Sequence, residues 1–274
     1  MSRFPLLLSG KAFAPHLQDE HLLILDVGKP AIYEQAHLPG AIHVDYRLLQ
    51  KGDMPAPGLL PSDEALVALF SSLGLTSDTH VVAYDDEGGT RSARLLWVLD
   101  AIGHTRYSLL DGGIHAWLED DLPYQVEPNQ PTPSNFSKAD LRITPQVDLD
   151  YLLANFDRDD VVVWDARTFE EYMGQRVVAA RAGHIPGAVH YNWETCIDRN
   201  IDNRVRHLDS IRAELANLGI VGDKEIITHC QTHHRSSFSW FIGKVLGFEN
   251  IRAYAGAWSE WGNHPDTPIT QKAN

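Results

Sequence analysis

The sequence predicts an α/β protein built from two tandem copies of one unit, each a parallel sheet flanked by helices. The first observation is repetition: "HLPGAIHVDY" at 37–46 returns as "HIPGAVHYNW" at 184–193. Three further pairs of segments recur in the same order at nearly the same offset. The second observation is alternation. Strand-like and helix-like runs follow one another within each copy, which is typical of parallel α/β sheets.

The elements of the first copy follow from these patterns. Ser62 is the expected N-cap of its first long helix, and Gly74 is the expected end of that helix. The elements are expected in this order: a strand at 22–27, a helix at 62–74, a strand at 79–85, a helix at 93–103, and a strand with a turn at 106–113.

The second copy repeats the alternation. Continuous apolar runs such as "VVVW" indicate strands that are covered on both faces of the sheet. The expected elements are a strand at 160–167, a helix at 208–219, a strand at 224–230, a helix at 237–247 and a strand at 251–256.

A stretch rich in Pro, Asn and Ser separates the copies and predicts a surface linker. We therefore expect one domain at 1–125, a linker at 126–142 and a second domain at 143–274. Each copy is long enough to form its own hydrophobic core.

Charge and cysteine content exclude several classes of partner. The chain carries 23 Lys and Arg against 37 Asp and Glu, a net charge of −14. Such a surface repels nucleic acid and anionic membranes, so neither is an expected partner. The chain has two cysteines, too few for a disulfide framework, which predicts a reducing, cytoplasmic location.

The segment "THCQTHHRSS" at 228–237 contains the strongest candidates for catalytic residues in the sequence. Cys230 lies between a strand-like run and a helix-like run, where the N–H groups of a helix N-terminus form a cradle for anions. Arg235 adds positive charge, and His233 and His234 are further candidates. Such surroundings lower the pKa of a cysteine, so we expect a nucleophilic thiolate.

The first copy provides an internal comparison. Asp85, in "YDDEGGTR", occupies the position of Cys230. A carboxylate cannot replace sulfur as the nucleophile, so the first copy is expected to be catalytically silent. The acidic run at 85–87 is interpreted as a solvated turn. The other cysteine, Cys196, has no cationic neighbours in sequence and is interpreted as a half-buried bystander.

The two "PGA" segments, "DAR" at 165–167 and the cysteine loop together resemble the tandem-domain rhodanese (thiosulfate sulfurtransferase) family. The loop "CQTHHR" is similar to that of a bacterial, Azotobacter-type subgroup. The resemblance covers nearly the whole chain. It implies two rhodanese-like α/β domains, each with a parallel five-stranded sheet flanked by helices, and sulfane sulfur transfer through a persulfide on Cys230.

The resemblance also implies residue roles. Arg167 matches a family position near the bound donor anion, and Arg235 closes the loop. The remaining loop residues are substrate-binding candidates: Gln231, Thr232, His233 and His234. The loop lacks the glycine pattern of the mercaptopyruvate branch, so thiosulfate is the expected donor. A thiophile such as cyanide or a thiol is the expected acceptor, and no cofactor is expected.

Two alternatives remain open from the sequence. A persulfide carrier that delivers sulfur to a partner protein would have the same loop. A cysteine phosphatase would also hold a thiolate in an amide cradle, but such enzymes use Cys-x5-Arg, whereas this chain has Cys-x4-Arg. The histidines around Cys230 do not match common zinc-site spacings, so no metal is expected.

Overall fold

The computed structural model of the chain describes residues 3–137 and 146–271. These residues form two compact units. Within the described ranges, the first unit comprises residues 3–49, 61–137 and 197–205, and the second comprises residues 50–60, 146–196 and 206–271. Residues 138–142 of the expected linker lie outside the described residues.

The described residues form twelve β-strands and ten α-helices. The strands are β1 Leu7–Leu8, β2 Leu22–Asp26, β3 Ile42–His43, β4 His80–Tyr84, β5 Tyr107–Leu110, β6 Gln146–Val147, β7 Val161–Asp165, β8 Val189–His190, β9 Ile197–Asp198, β10 Arg204–Val205, β11 Glu225–His229 and β12 Ile251–Tyr254. The helices are α1 Gly10–Phe13, α2 Pro30–Tyr33, α3 Asp63–Leu73, α4 Thr90–Ala101, α5 Gly113–Glu119, α6 Leu149–Asn155, α7 Phe169–Tyr172, α8 Leu208–Asn217, α9 Arg235–Val245 and α10 Ala257–Trp261. Throughout the described ranges, every helix is too short or too polar to cross a bilayer.

Helix α3 begins and ends where the sequence predicts. The Ser62 hydroxyl accepts a hydrogen bond from the N–H of Ala65 at 3.3 Å, which satisfies one of the free donors of the first turn. Gly74 ends the helix with a φ of 85°, a left-handed conformation that glycine adopts without steric cost.

The first unit contains a five-stranded parallel sheet in the order β1-β5-β4-β2-β3. The central strand, β4, is buried along its whole length. Side chains such as Phe13, Val82 and Trp117 form a hydrophobic cluster in this unit. Burial of both faces of β4 explains why its sequence is a continuous apolar run rather than an alternating one.

The second unit repeats this sheet in the order β6-β12-β11-β7-β8, and again all pairs are parallel. Its central strand is β11, which ends directly before Cys230. The predicted fold class, two α/β domains with five-stranded parallel sheets, is confirmed. In both units the carboxyl end of the central strand carries the loop that the sequence singles out, the place where open α/β sheets bind ligands.

The expected domain boundaries make each copy continuous in sequence, and the structure differs at two places. Residues 50–60 belong to the second unit, and residues 197–205, which form the antiparallel pair β9–β10, belong to the first. The N–H of Val205 donates to the Asp111 carboxylate at 2.7 Å, which fixes the second of these segments. Such long-range contacts leave no local pattern in sequence.

Candidate active site at Cys230

The Cys230 loop connects the central strand β11 to helix α9. All five residues of β11 are buried, and the Cys230 side chain has no exposed surface. Helix α9 begins at Arg235, five positions after the cysteine. The strand, loop and helix predicted around the cysteine are therefore present.

Hydrogen bonds and charge stabilise the Cys230 thiolate. Burial raises the pKa of the thiol, but the Arg235 charge and hydrogen bonds from the hydroxyl and N–H of Ser236 and from the N–H of Thr232 outweigh burial. The net shift of the Cys230 pKa is downward. The thiolate is the nucleophilic form of cysteine, so this loop holds the thiol ready for attack.

Arg235 is held by a residue that the sequence analysis missed. Its two terminal nitrogens donate to the Glu171 carboxylate at 2.6 and 3.0 Å. Burial lowers the pKa of Arg235, but Glu171 and the Cys230 thiolate outweigh that and raise it overall. Thr168 and Glu171 form a capping box at the start of α7. The Thr-x-x-Glu pattern was visible in sequence, but the pairing with Arg235 was not.

The other candidate loop residues lie in different environments. Gln231 is half-buried, and its amide nitrogen donates to the Val178 carbonyl at 3.0 Å. Thr232 and His234 are half-buried. His233 is fully buried, with Nδ1 2.8 Å from the Ser236 hydroxyl oxygen. His233 has no exposed surface, as Cys230 has none, and its contact with the substrate stays a prediction.

Arg167 is buried in the second unit. Its side chain has no exposed surface and forms a bidentate ion pair with Asp165. Its guanidinium carbon lies 4.3 Å from the ring centre of Trp258. That Arg167 binds the donor anion stays a prediction; in this structure its guanidinium is buried and paired with the Asp165 carboxylate.

His229 completes this buried cluster. Its Nε2 lies 3.5 Å from the Asp165 carboxylate. Burial lowers the pKa of His229 from 6.5 to about 4, so the imidazole is neutral near pH 7. Across residues 3–137 and 146–271, no group of three or more His, Cys, Asp or Glu side chains is arranged to hold a metal ion.

The Asp85 loop of the first unit is an anion cradle filled by its own carboxylate. Asp85 is only 1 % exposed, so its interpretation as part of a solvated turn was wrong. Five donors within 3.0 Å bind its two oxygens: the N–H groups of Glu87, Gly89, Arg91 and Ser92 and the hydroxyl of Ser92. A loop of this class can therefore direct several N–H groups at one negative charge.

Cys196 lies apart from this chemistry. It is fully buried rather than half-buried, at the end of a 3-10 helix formed by Trp193–Cys196. Burial raises the pKa of its thiol to about 12. A thiol that stays protonated is a weak nucleophile, so Cys196 provides a natural comparison for Cys230.

A family model described as "Rhodanese-like domain" matches the chain twice, at residues 10–120 and 148–264. The chain belongs to the rhodanese family. A thiosulfate sulfurtransferase from Azotobacter vinelandii is 44% identical over 97% of both chains. A thiosulfate sulfurtransferase from Pseudomonas aeruginosa is 43% identical over 98% of both. The predicted family and the Azotobacter-type subgroup are therefore confirmed.

Some more distant matches have other names. A sulfur carrier protein from Thermus thermophilus is 30% identical over 93% of both chains. Among solved structures, the anaerobic ergothioneine biosynthesis enzyme from Chlorobium limicola matches with a TM-score of 0.85 at 21% identity, covering 98% of this chain and 71% of that one. At that identity the likeness supports the fold alone.

Proposed function

We propose that this protein is a thiosulfate sulfurtransferase that carries a sulfane sulfur on Cys230. The observation that carries the proposal is the lowered pKa of a buried thiol held by loop donors and by Arg235. Rhodanese relatives that are 43% and 44% identical over nearly the full length are named thiosulfate sulfurtransferases. The sulfurtransferase predicted from sequence agrees with those names.

In the first half-reaction, the Cys230 thiolate attacks the outer sulfur of thiosulfate. A new S–S bond forms, the S–S bond of thiosulfate breaks, and sulfite leaves with the electron pair. Negative charge moves between sulfur atoms, and the donors at Thr232, Ser236 and Arg235 stabilise it without rearranging. Because the cysteine starts as a thiolate, no general base is required.

In the second half-reaction, a thiophilic acceptor such as cyanide or a thiolate attacks the terminal sulfur of the persulfide. The acceptor keeps that sulfur, and Cys230 leaves as the thiolate that the loop already stabilises. The same low pKa that makes Cys230 a nucleophile therefore makes it a good leaving group. This symmetry suits a residue that must both take up and release sulfur.

The first unit is proposed to be silent in this chemistry. Its cradle is occupied by the Asp85 carboxylate, whose two oxygens bind the loop donors. A carboxylate has no sulfur to transfer, and it already occupies five donors of its own loop.

A second candidate function is a persulfide carrier that passes sulfur to an acceptor protein. It is favoured by the family relative that is named a sulfur carrier protein. Enzyme and carrier share the first half-reaction, so they differ only in the acceptor. The free thiols of Cys196 and Cys230 agree with the proposed reducing, cytoplasmic location.

The proposed function is tested by intact mass after incubation with thiosulfate. Wild type should gain about 32 Da, one sulfur atom, and then lose it to cyanide as thiocyanate forms. Cys230→Ser should show neither the gain nor turnover. Cys196→Ser is the matched control and should show both. Sulfur uptake by folded Cys230→Ser would overturn the proposal.

A further inference from the structure

The outer face of the Cys230 loop is bound by backbone groups of a second segment. The Cys230 carbonyl accepts a hydrogen bond from the N–H of Trp258 at 2.9 Å, and the Gln231 carbonyl accepts one from the N–H of Ser259, also at 2.9 Å. These contacts give the first two loop carbonyls hydrogen-bond donors from outside the loop.

The third loop carbonyl, that of Thr232, is held differently. It lies against Gly58, so close that a β-carbon at Gly58 would be 2.1 Å from the Thr232 oxygen and 2.7 Å from the Ala255 oxygen. Only glycine allows two backbone segments to approach this closely. Residues 50–60, which we call the clasp, therefore touch the catalytic loop through main-chain atoms.

The clasp is held by a hydrogen bond within it and by one to Ser259. Within it, the N–H of Lys51 donates to the Leu59 carbonyl at 2.8 Å, which closes the segment. The Ser259 hydroxyl donates to the Pro55 carbonyl at 2.7 Å. Ser259 thus binds the clasp with its side chain and the Cys230 loop with its N–H group.

We propose that the clasp positions the Thr232–His233 peptide for sulfur chemistry, with Gly58 as the positioning residue. The inference rests on the proposed function of Cys230 and names a further residue for it. In a trans peptide the C=O and N–H groups point in opposite directions. A Thr232 carbonyl held against Gly58 therefore directs the N–H of His233 away from the clasp, and the same contact fixes Thr232, whose own N–H donates to the Cys230 thiolate.

The conformation of His233 explains why such a restraint is needed. Its φ is 56°, in the left-handed region that a residue with a β-carbon rarely adopts. Strained backbone of this kind persists only where the surrounding structure holds it. If the Thr232–His233 peptide rotated, its carbonyl would leave Gly58, and Thr232 would no longer hold its N–H on the Cys230 thiolate.

Gly58→Ala tests the clasp. Two quantities are measured: the rate of iodoacetamide alkylation of Cys230 against pH, and kcat and KM for sulfur transfer from thiosulfate to cyanide. We expect the alkylation profile to move to higher pH and kcat/KM to fall roughly ten- to a hundredfold, the loss of about one charge-assisted hydrogen bond. Gly222→Ala is the control, because a β-carbon there meets the Phe248 ring, at 3.0 Å, before anything else.

Ser259→Ala is the second variant, because it adds no atoms. It removes the hydroxyl bound to Pro55 and keeps the N–H bound to Gln231, so we expect a smaller shift in the same direction. If Gly58→Ala does not fold, Ser259→Ala decides, and a wild-type alkylation profile overturns the inference. A folded Gly58→Ala with a lower unfolding temperature but an unchanged profile also overturns it. If wild type takes up no sulfur from thiosulfate, the proposed function fails, while the alkylation profiles still test the clasp.

Discussion

The carboxylate of Glu171 binds the guanidinium of Arg235 through both of its oxygens, at 2.6 and 3.0 Å. Glu171 is itself fixed, because its Oε2 also accepts a hydrogen bond from the N–H of Thr168 at 3.1 Å. A bidentate pair of this kind sets the plane of the guanidinium as well as its position. The charge beside Cys230 is therefore oriented by Glu171 and also partly offset by it.

Two substitutions at Glu171 separate orientation from charge. Glu171→Gln keeps the shape and removes the offsetting charge, so the pKa of Cys230 should fall and its alkylation profile should move to lower pH. Glu171→Ala also removes the orientation of Arg235, and sulfur transfer should fall roughly ten- to a hundredfold. Glu170→Gln, at an exposed neighbour, should behave as wild type. Identical alkylation profiles in Glu171→Gln and wild type would rule out the electrostatic role.

This pair also shows how far the sequence could be interpreted. Local sequence patterns were enough to predict the central strands, the capped helix α3 and the Cys230 loop. Residues close in sequence determine hydrophobic periodicity, helix caps and loop type. The pairing of Glu171 with Arg235 spans 64 positions in sequence and follows from tertiary structure. The same holds for the contact of Gly58 with the loop.

Two further features of the structure leave no sequence signal, for other physical reasons. The edge strands β1 and β6 have two residues each, too few to show a period. Arg167 is assigned to the donor site on the family resemblance, and only the structure shows that its guanidinium is buried against Asp165. A charged side chain can be buried only beside an oppositely charged partner, and the tertiary structure is needed to identify that partner.

The buried His229 should make stability depend on pH. Burial lowers its pKa from 6.5 to about 4, so below pH 6.5 the unfolded chain binds the proton more readily than the native protein. The contribution of neutral His229 to the free energy of unfolding is therefore fully present above pH 6.5 and is lost as the pH falls towards 4. The difference corresponds to about 3 kcal/mol when fully expressed.

His229→Gln removes this contribution. The free energy of unfolding in urea should fall less between pH 7.5 and 5 than it does in wild type. His207→Gln is the control, because the His207 side chain is 78% exposed. Asp26 acts in the opposite direction, since burial raises its pKa to about 6, but it is common to both proteins and cancels in the comparison. An equal loss in His229→Gln and wild type would show that His229 titrates normally.

Asp85 should stabilise the first unit by filling its own cradle. Asp85→Ala leaves several buried N–H donors without an acceptor, so the free energy of unfolding should fall by about 3 kcal/mol or more. Sulfate or phosphate at millimolar concentration should restore part of the loss in this variant and have little effect on wild type. Asp78→Ala, at a side chain that is 70% exposed, is the control. A loss without anion rescue would mean that the emptied loop collapses instead of keeping its cradle.

Loop length is the feature proposed to select sulfur over phosphate chemistry. Cys230 and Arg235 are separated by four residues, one fewer than in the Cys-x5-Arg loops of cysteine phosphatases. The Asp85 loop, residues 85–89, has as many residues between strand and helix as the Cys230 loop, residues 230–234. It holds the carboxylate of its own aspartate. The Cys230 loop holds a single sulfur atom.

One residue inserted after Thr232 gives the Cys230 loop the Cys-x5-Arg spacing of cysteine phosphatases. Loop N–H groups must converge on one centre, and the ring they form widens as residues are added. Wild type should transfer sulfur from thiosulfate and should not hydrolyse an aryl phosphate. The inserted variant should transfer sulfur at least about tenfold more slowly, because its donors no longer meet at one sulfur atom. It should also bind tungstate or phosphate more tightly, measured as protection of Cys230 from alkylation.

Thr232→Gly, without an insertion, controls for altered loop chemistry at constant length. If the inserted loop keeps full sulfur transfer and gains no oxyanion affinity, or if wild type already hydrolyses aryl phosphates, then loop length is not the selector and the phosphatase alternative regains support.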